Sequence, residues 1–423
     1  MGIAEPSWGK VSAATAALCL VAYLPFLQLP FISDDYLQIG LARQYGSWEG
    51  QQELFADALY RCRATALWVV WALDRLFGPV VTPQALVCLA LHFLNCLLVF
   101  ALAKEGGFSR GAAAAAACFF AVYEGHQEAV VWISAMPELL VFLFGGLSVL
   151  AGLRWIRGAG PGWVALMAGC YGLALLSKES AVVAPALLAV YAWMGRMPWR
   201  RWVPLVAVMG GLVTTWYTWS IFQAQRNHLH FHDGTFSLSA PFLLTLAISV
   251  GRLFWFWGML ALVVGWWSRM PGMGRLLGVA GVWVGLTFLP YVFLTYMPRV
   301  PSRHTYWASA GLALVVGVIF LQGLARLSDR KRVLAAVAAV VVIHNCGYLW
   351  VRKLGQYQER ARATEELIAY SSRTKGPVRV RCFPYGDDIV YHSLRVLHGR
   401  ERDEIEVGAQ VAGESYCFEP KRD

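Results

Sequence analysis

The chain has 423 residues, of which 58% are hydrophobic and only 15% charged, against about 25% charged in an ordinary soluble domain. With a mean hydropathy of +0.50 it holds too little polar surface to coat a soluble globule, which excludes a soluble enzyme, a disordered chain and a fibrous protein. The net charge of +10 would suit a nucleic-acid partner. Its Lys and Arg, however, fall in short loops between apolar runs, where they set membrane orientation, so no nucleic acid is expected.

A helix that crosses a bilayer needs about twenty apolar residues. Taken in chain order, apolar runs near 10–29, 83–103, 108–123, 130–153, 162–177, 180–195, 203–223, 241–267, 276–297, 304–326 and 333–351 predict about eleven crossings, with an amphipathic helix near 64–77. The first run lacks a small-residue cleavage site and is read as a retained anchor. The expected fold is therefore an all-α polytopic membrane domain over 1–352, with a long first loop at 30–82. Residues 353–423 read differently: a helix from Gln356 to Tyr370, a strand at Val378–Phe383, a helix near 389–398 and a strand around Ile405 predict a small α/β tail. Six cysteines, Cys19, Cys88, Cys96, Cys118, Cys170 and Cys346, lie inside apolar runs as small core residues. Cys382 and Cys417 lie in the tail and would pair if it faces an oxidising compartment.

Alternate loops divide by charge. Lys10, Lys104, Arg110, Arg154, Arg157, Arg196, Arg200, Arg201, Arg269, Arg275 and the basic run at 326–332 fall on one side, the expected cytoplasmic face. The opposite side takes the unusual polar residues, and this segregation is the first sign of a site. Asp34 and Asp35 stand together just after the first span, either as a solvated helix start or as a base or metal ligand, since neighbouring carboxylates push their pKa values apart. His126 and Glu128 lie on a hairpin rim, and Glu138 sits just inside the following span, where a carboxylate needs a partner or a wet cavity. Lys178 and Glu179 occupy a short turn, where they either pair with each other or hold a lipid phosphate. His228, His230 and His232, followed by Asp233, share one face of an extended segment and are weak metal candidates. Arg299 and Arg303, between Pro298, Pro301 and Tyr306, stand where a late helix is expected to begin and suit an anion.

These motifs resemble the multi-spanning glycosyltransferases of the GT-C type, which use polyprenyl-phosphate sugars, and especially the transmembrane O-mannosyltransferase-like branch. The resemblance rests on the acidic pair Asp34-Asp35, Tyr60-Arg61, the turn His126, Glu128, Trp132 with Glu138, the Leu176-Ser177-Lys178-Glu179 signature and Ser302-Arg303 with Tyr306. It covers about residues 10–351, with the motif order kept. Two family prolines, after Arg61 and before His126, are absent. The resemblance implies an inverting single displacement, in which a sugar leaves its lipid phosphate for an acceptor hydroxyl on a protein, glycan or lipid; the charge division places this on the outer face, and the compact loops point to a bacterial inner membrane. The resemblance also implies Asp34 as base with Asp35 orienting it or an acceptor hydroxyl, Arg303, Lys178 and Arg299 on the donor phosphate, and His126, Glu128, Glu138, Glu179 and Tyr306 around the cavity. Whether a divalent ion takes part stays open, as do a polytopic transporter or flippase and an inactive scaffold.

Overall fold

The computed structural model describes residues 5–57, 60–223, 237–327, 330–411 and 413–419. In chain order the helices are α1 (Trp8–Tyr23), α2 (Asp34–Tyr45), α3 (Gln51–Ala56), α4 (Ala64–Phe77), α5 (Val81–Glu105), α6 (Arg110–Val122), α7 (Gln127–Val131), α8 (Met136–Ile156) and α9 (Gly162–Leu175). They continue with α10 (Ala184–Met194), α11 (Trp199–Gln223), α12 (Phe242–Phe254), α13 (Trp257–Trp267), α14 (Met273–Phe288), α15 (Ser309–Leu327), α16 (Arg330–Gly347), α17 (Leu354–Arg373) and α18 (Asp387–His398). Strands β1 (Val378–Cys382), β2 (Ile405–Val407) and β3 (Tyr416–Cys417) form a parallel sheet in the order β2-β1-β3.

Among the described residues six helical stretches are long and apolar enough to cross a membrane: Trp8–Phe26, Val81–Glu105, Ile133–Ile156, Met273–Tyr291, Ser309–Arg326 and Arg332–Arg373. The pair α12 and α13, bent by 72°, makes a seventh if it is one span. Every apolar run read from the sequence contains a helix. Arg110–Val122, Gly162–Leu175 and Glu179–Met194 are shorter, and at about 1.5 Å per residue a helix of thirteen residues does not traverse about 30 Å of hydrocarbon. Several ends also move for local reasons. Pro290 closes α14 in a 3-10 turn at Leu289–Tyr291, so the run expected to reach 297 stops early. The residues Ser302–Thr305 form a separate 3-10 turn, and the late helix begins only at Ser309.

The main core joins all these helices through small buried residues. Ala112, Ala113, Ala116 and Ala117 of α6 are fully buried, and a Cβ at Gly317 of α15 would stand 2.3 Å from the Ala116 nitrogen, so the backbones of α6 and α15 touch. The bundle is polar at its two ends. Arg154 and Arg157 close α8 while Glu138 opens it, which at about 1.5 Å per residue separates them by roughly 30 Å.

The tail has its own core of Leu367, Val378, Val380, Val390, Leu394, Ile405 and Tyr416, and Cys382 and Cys417 are joined in a disulfide. It is not strung on a linker. A π-helical turn at Tyr348–Lys353 runs α16 directly into α17, and α18 packs on α2. Gly40 makes that approach possible, because a Cβ there would lie 2.0 Å from His392 Nδ1. Arg43 then ties the tail to the bundle: it forks onto Asp74 of α4 at 2.8 and 2.9 Å and donates to the Val396 carbonyl at 3.2 Å.

Candidate functional site: an acidic pair facing an arginine pair

The segment after α1 turns sharply before the acidic pair. Ser33 is held at φ 40°, a conformation costly for a residue with a side chain, and Asp34 and Asp35 open α2, where carboxylates suit the positive end of the helix. Their surroundings differ. Asp35 is 1% exposed. It accepts from the Ile32 N–H at 2.9 Å and from both the N–H and the hydroxyl of Ser134 at 2.8 Å, so it staples the first loop to the turn before α8. Burial raises its pKa to about 7 against the pull of those donors. Asp34 is half-buried and no donor among the described residues bonds it. Burial raises its pKa too, opposed by the charges of Arg303 and Arg360.

Those two arginines arrive from distant segments and share one aromatic platform. The guanidinium carbons of Arg303 and Arg360 lie 5.1 and 4.6 Å from the ring centre of Trp132, a cation–π arrangement that holds both charges without neutralising them. Glu128 faces them. It accepts from the Ser302 hydroxyl and, at 3.0 Å, from the Arg303 N–H, with Arg360 at 3.9 Å. Burial works to raise its pKa, and these donors and charges outweigh it, leaving Glu128 below the ordinary carboxylate range. The helix N-terminus expected to receive an external anion is thus corrected twice: Arg303 lies in a single 3-10 turn, and that turn's N–H is already taken by Glu128. Gln127 completes the seam, donating to Ser302 at 3.3 Å and accepting from Tyr357 of α17 at 2.7 Å.

A second charged cluster lies beside it. Glu138, 2% exposed, accepts from Lys178, from His304 and, at 3.0 Å, from the Tyr291 hydroxyl. The His304 ring stacks on Tyr291 with centres 4.6 Å apart and planes at 10°. Lys178 is 7% exposed, and its burial lowers its pKa to about 8 even with Glu138 holding it up. Its charge is therefore matched by Glu138 and not left open for a lipid phosphate. Nor does it pair with its neighbour, because Lys178 is extended (φ −167°, ψ 150°) and Glu179 takes Arg63 instead, at 2.7 Å. The turn is fixed by Thr65, whose N–H donates to the Leu176 carbonyl at 3.2 Å and whose hydroxyl lies 2.8 Å from that of Ser177.

Two expected cavity residues are packed inside instead. His126 and Tyr306 are 0% exposed, with ring centres 4.6 Å apart, and their neighbours include Phe120, Phe142 and His92. His126 shares a 2.6 Å hydrogen bond with Ser309, and the Tyr306 hydroxyl meets His92 at 2.8 Å and Asn95 at 3.2 Å. Arg299 is exposed. His228, His230, His232 and Asp233 lie outside the described residues. Cys19, His92 and Cys96 do come within metal-binding distance of one another, but both nitrogens of His92 are engaged, by Tyr306 and the Ala121 carbonyl, as befits a hydrogen-bonded core residue. The sequence reading missed Arg360, Ser134, Arg63, His304 and Tyr291. Only Arg360 left a signal: it falls three residues after Tyr357, on one face of a helix whose Glu359, Arg362 and Glu366 pair among themselves.

The fold is GT-C-like. ArnT from Cupriavidus metallidurans, bound to undecaprenyl phosphate, superposes with a TM-score of 0.52 at 16% identity over 95% of this chain and 90% of that one. Its apo form gives 0.55 at 17% identity over 92% and 84%. The oligosaccharyltransferase AglB from Archaeoglobus fulgidus, in complex with an inhibitory peptide and a dolichol-phosphate, gives 0.52 at 12% identity, covering 98% of this chain and 62% of that one. No protein-family model and no curated protein matches the sequence.

Proposed function

We propose that the protein is an integral-membrane glycosyltransferase that moves a sugar from a polyprenyl-phosphate donor to a hydroxyl acceptor by a single inverting displacement. The observation that carries this reading is the meeting of an unbonded, half-buried carboxylate, Asp34, with two arginines poised on Trp132. A lipid phosphate is a leaving group already stable as an anion, so it needs fixed positive charge more than a strong acid. Arg303 and Arg360 supply it, with Arg299 at the rim. The attacking hydroxyl needs a base, which is Asp34, and the raised pKa suits the task. Asp35 positions that base through Ile32 and Ser134. Lys178, committed to Glu138 and His304, supports the field of the site from beneath, and Glu179 with Arg63 holds the turn that carries it.

The carriers named for ArnT and AglB, undecaprenyl phosphate and dolichol-phosphate, support a polyprenyl phosphate as donor lipid. The O-mannosyltransferase-like branch rests on the sequence motifs alone. An acidic pair and a tail facing the periplasm agree with the basic residues gathered at the far end of α8. Charged groups at the two ends of the bundle, and not along a central path, favour transfer over transport. In vesicles, radiolabelled sugar should pass from a polyprenyl-phosphate hexose to a membrane extract, and Asp34→Asn should slow this by roughly 10²–10⁴. Transfer at the normal rate by Asp34→Asn would remove the base assignment.

A further inference from the structure

The end of the bundle away from the acidic pair contains a cavity of about 260 Å³ between α5, α8, α10, α14 and α15. Its floor lies mid-bundle at Trp283 and Ala310, and its walls include Val99, Val149 and Leu314. Trp283 donates its indole N–H to the Trp307 carbonyl at 2.8 Å, which closes the cavity off from the layer containing Tyr306. Gly311 also lines it, and a Cβ there would stand 2.7 Å from Val284 Cγ2.

The mouth is polar. Glu105, Arg157 and Arg275 line it. Glu105 pairs with Arg157 at 2.6 Å and with Arg154 at 3.6 Å. Arg275 donates to the Gly106 carbonyl at 3.4 Å and is otherwise exposed. Arg154 and Arg157 share the single carboxylate of Glu105 and Arg275 adds a third guanidinium beside it, so the rim carries excess positive charge over an apolar interior. Water has few partners inside, and a hydrocarbon chain has many.

We propose that this cavity binds one acyl chain of an anionic glycerophospholipid from the adjacent leaflet, with the headgroup phosphate held by Arg157 and Arg275. Guanidinium forks match phosphate oxygens, and basic pockets between membrane helices are suited to anionic headgroups. The site is separate from the acidic pair by most of the length of α8, and stands whether or not the protein transfers sugar.

The test uses the full-length protein in detergent, incubated with dioleoyl phosphatidylglycerol or dioleoyl phosphatidylcholine and read by native mass spectrometry. The anionic lipid should be retained roughly tenfold better, and the double variant Arg157→Ala/Arg275→Ala should abolish that preference while Arg154 still compensates Glu105. Equal retention of the two lipids by the wild type overturns the proposal. Ala310→Leu, which shortens the cavity and leaves the rim intact, should shift the preference from dioleoyl to dilauroyl phosphatidylglycerol. Unchanged chain-length preference shows surface association only and also overturns it.

Discussion

Asp35 offers the sharpest quantitative prediction, because its burial and its bonds pull in opposite directions. Asp35→Ala strands two buried main-chain N–H groups, those of Ile32 and Ser134, while the Ser134 hydroxyl can turn elsewhere. At about 1–3 kcal/mol for each stranded group, the expected loss is about 2–6 kcal/mol, reduced by whatever the carboxylate's own desolvation costs. Asp35→Asn keeps one acceptor but sets an amide N–H against a backbone N–H, for a loss of about 1–3 kcal/mol. Asp34→Asn breaks no hydrogen bond and should change stability by no more than about 0.5 kcal/mol. Thermal unfolding of the purified protein in micelles should rank the three as Asp35→Ala, Asp35→Asn, Asp34→Asn, from least to most stable. An Asp35→Ala protein as stable as Asp34→Asn would refute the stapling role and the division of labour between the two acids.

Four further outcomes follow from the same geometry. Activity should show a bell-shaped pH dependence, falling below about 7 as Asp35, which positions the base, protonates and above about 8 as Lys178 loses its charge; kcat/KM unchanged across neutrality would contradict it. In stability the sign for Asp35 is reversed: its folded pKa exceeds the unfolded value, so its contribution is full at acid pH and fades as pH rises through about 7. Removing Glu138 alone leaves Lys178 buried and uncompensated, so Glu138→Ala should cost about 3–5 kcal/mol and Glu138→Leu/Lys178→Met much less, a difference that thermal unfolding of the single and double variants reads directly. Gly40→Ala should push α18 off α2 and open the tail to limited proteolysis, with His392→Ala restoring protection.

Much of the architecture could be read from the chain because it rests on local signals. Apolar runs give helices, and the alternation at Val378–Cys382 gives a strand, whatever their partners. Helix ends were less legible where a single turn decides them, as at Pro290 and Ser302. The site was legible as a set of segments but not as a set of contacts. Glu138 and Lys178 are 40 residues apart, and nothing in either motif says that they neutralise each other. His126 looked like a rim residue because its spacing from Glu128 suits a hairpin, yet the 3-10 turn at Glu124–His126 turns it inward against Ser309. Arg360 lies 232 residues from Glu128 by number, in a helix whose exposed charges resemble those of any solvated surface, so its spacing from Tyr357 marks a face but not what that face meets.

The central claim is that the arginines on Trp132 form a seat for a lipid phosphate, and equilibrium binding of undecaprenyl phosphate against undecaprenol to the purified protein tests it most directly. The phosphate should bind roughly a hundredfold more tightly than the alcohol, and Arg303→Ala/Arg360→Ala should erase most of that difference. Equal affinity for the two lipids, or a double variant that binds the phosphate as well as the wild type, would contradict the account.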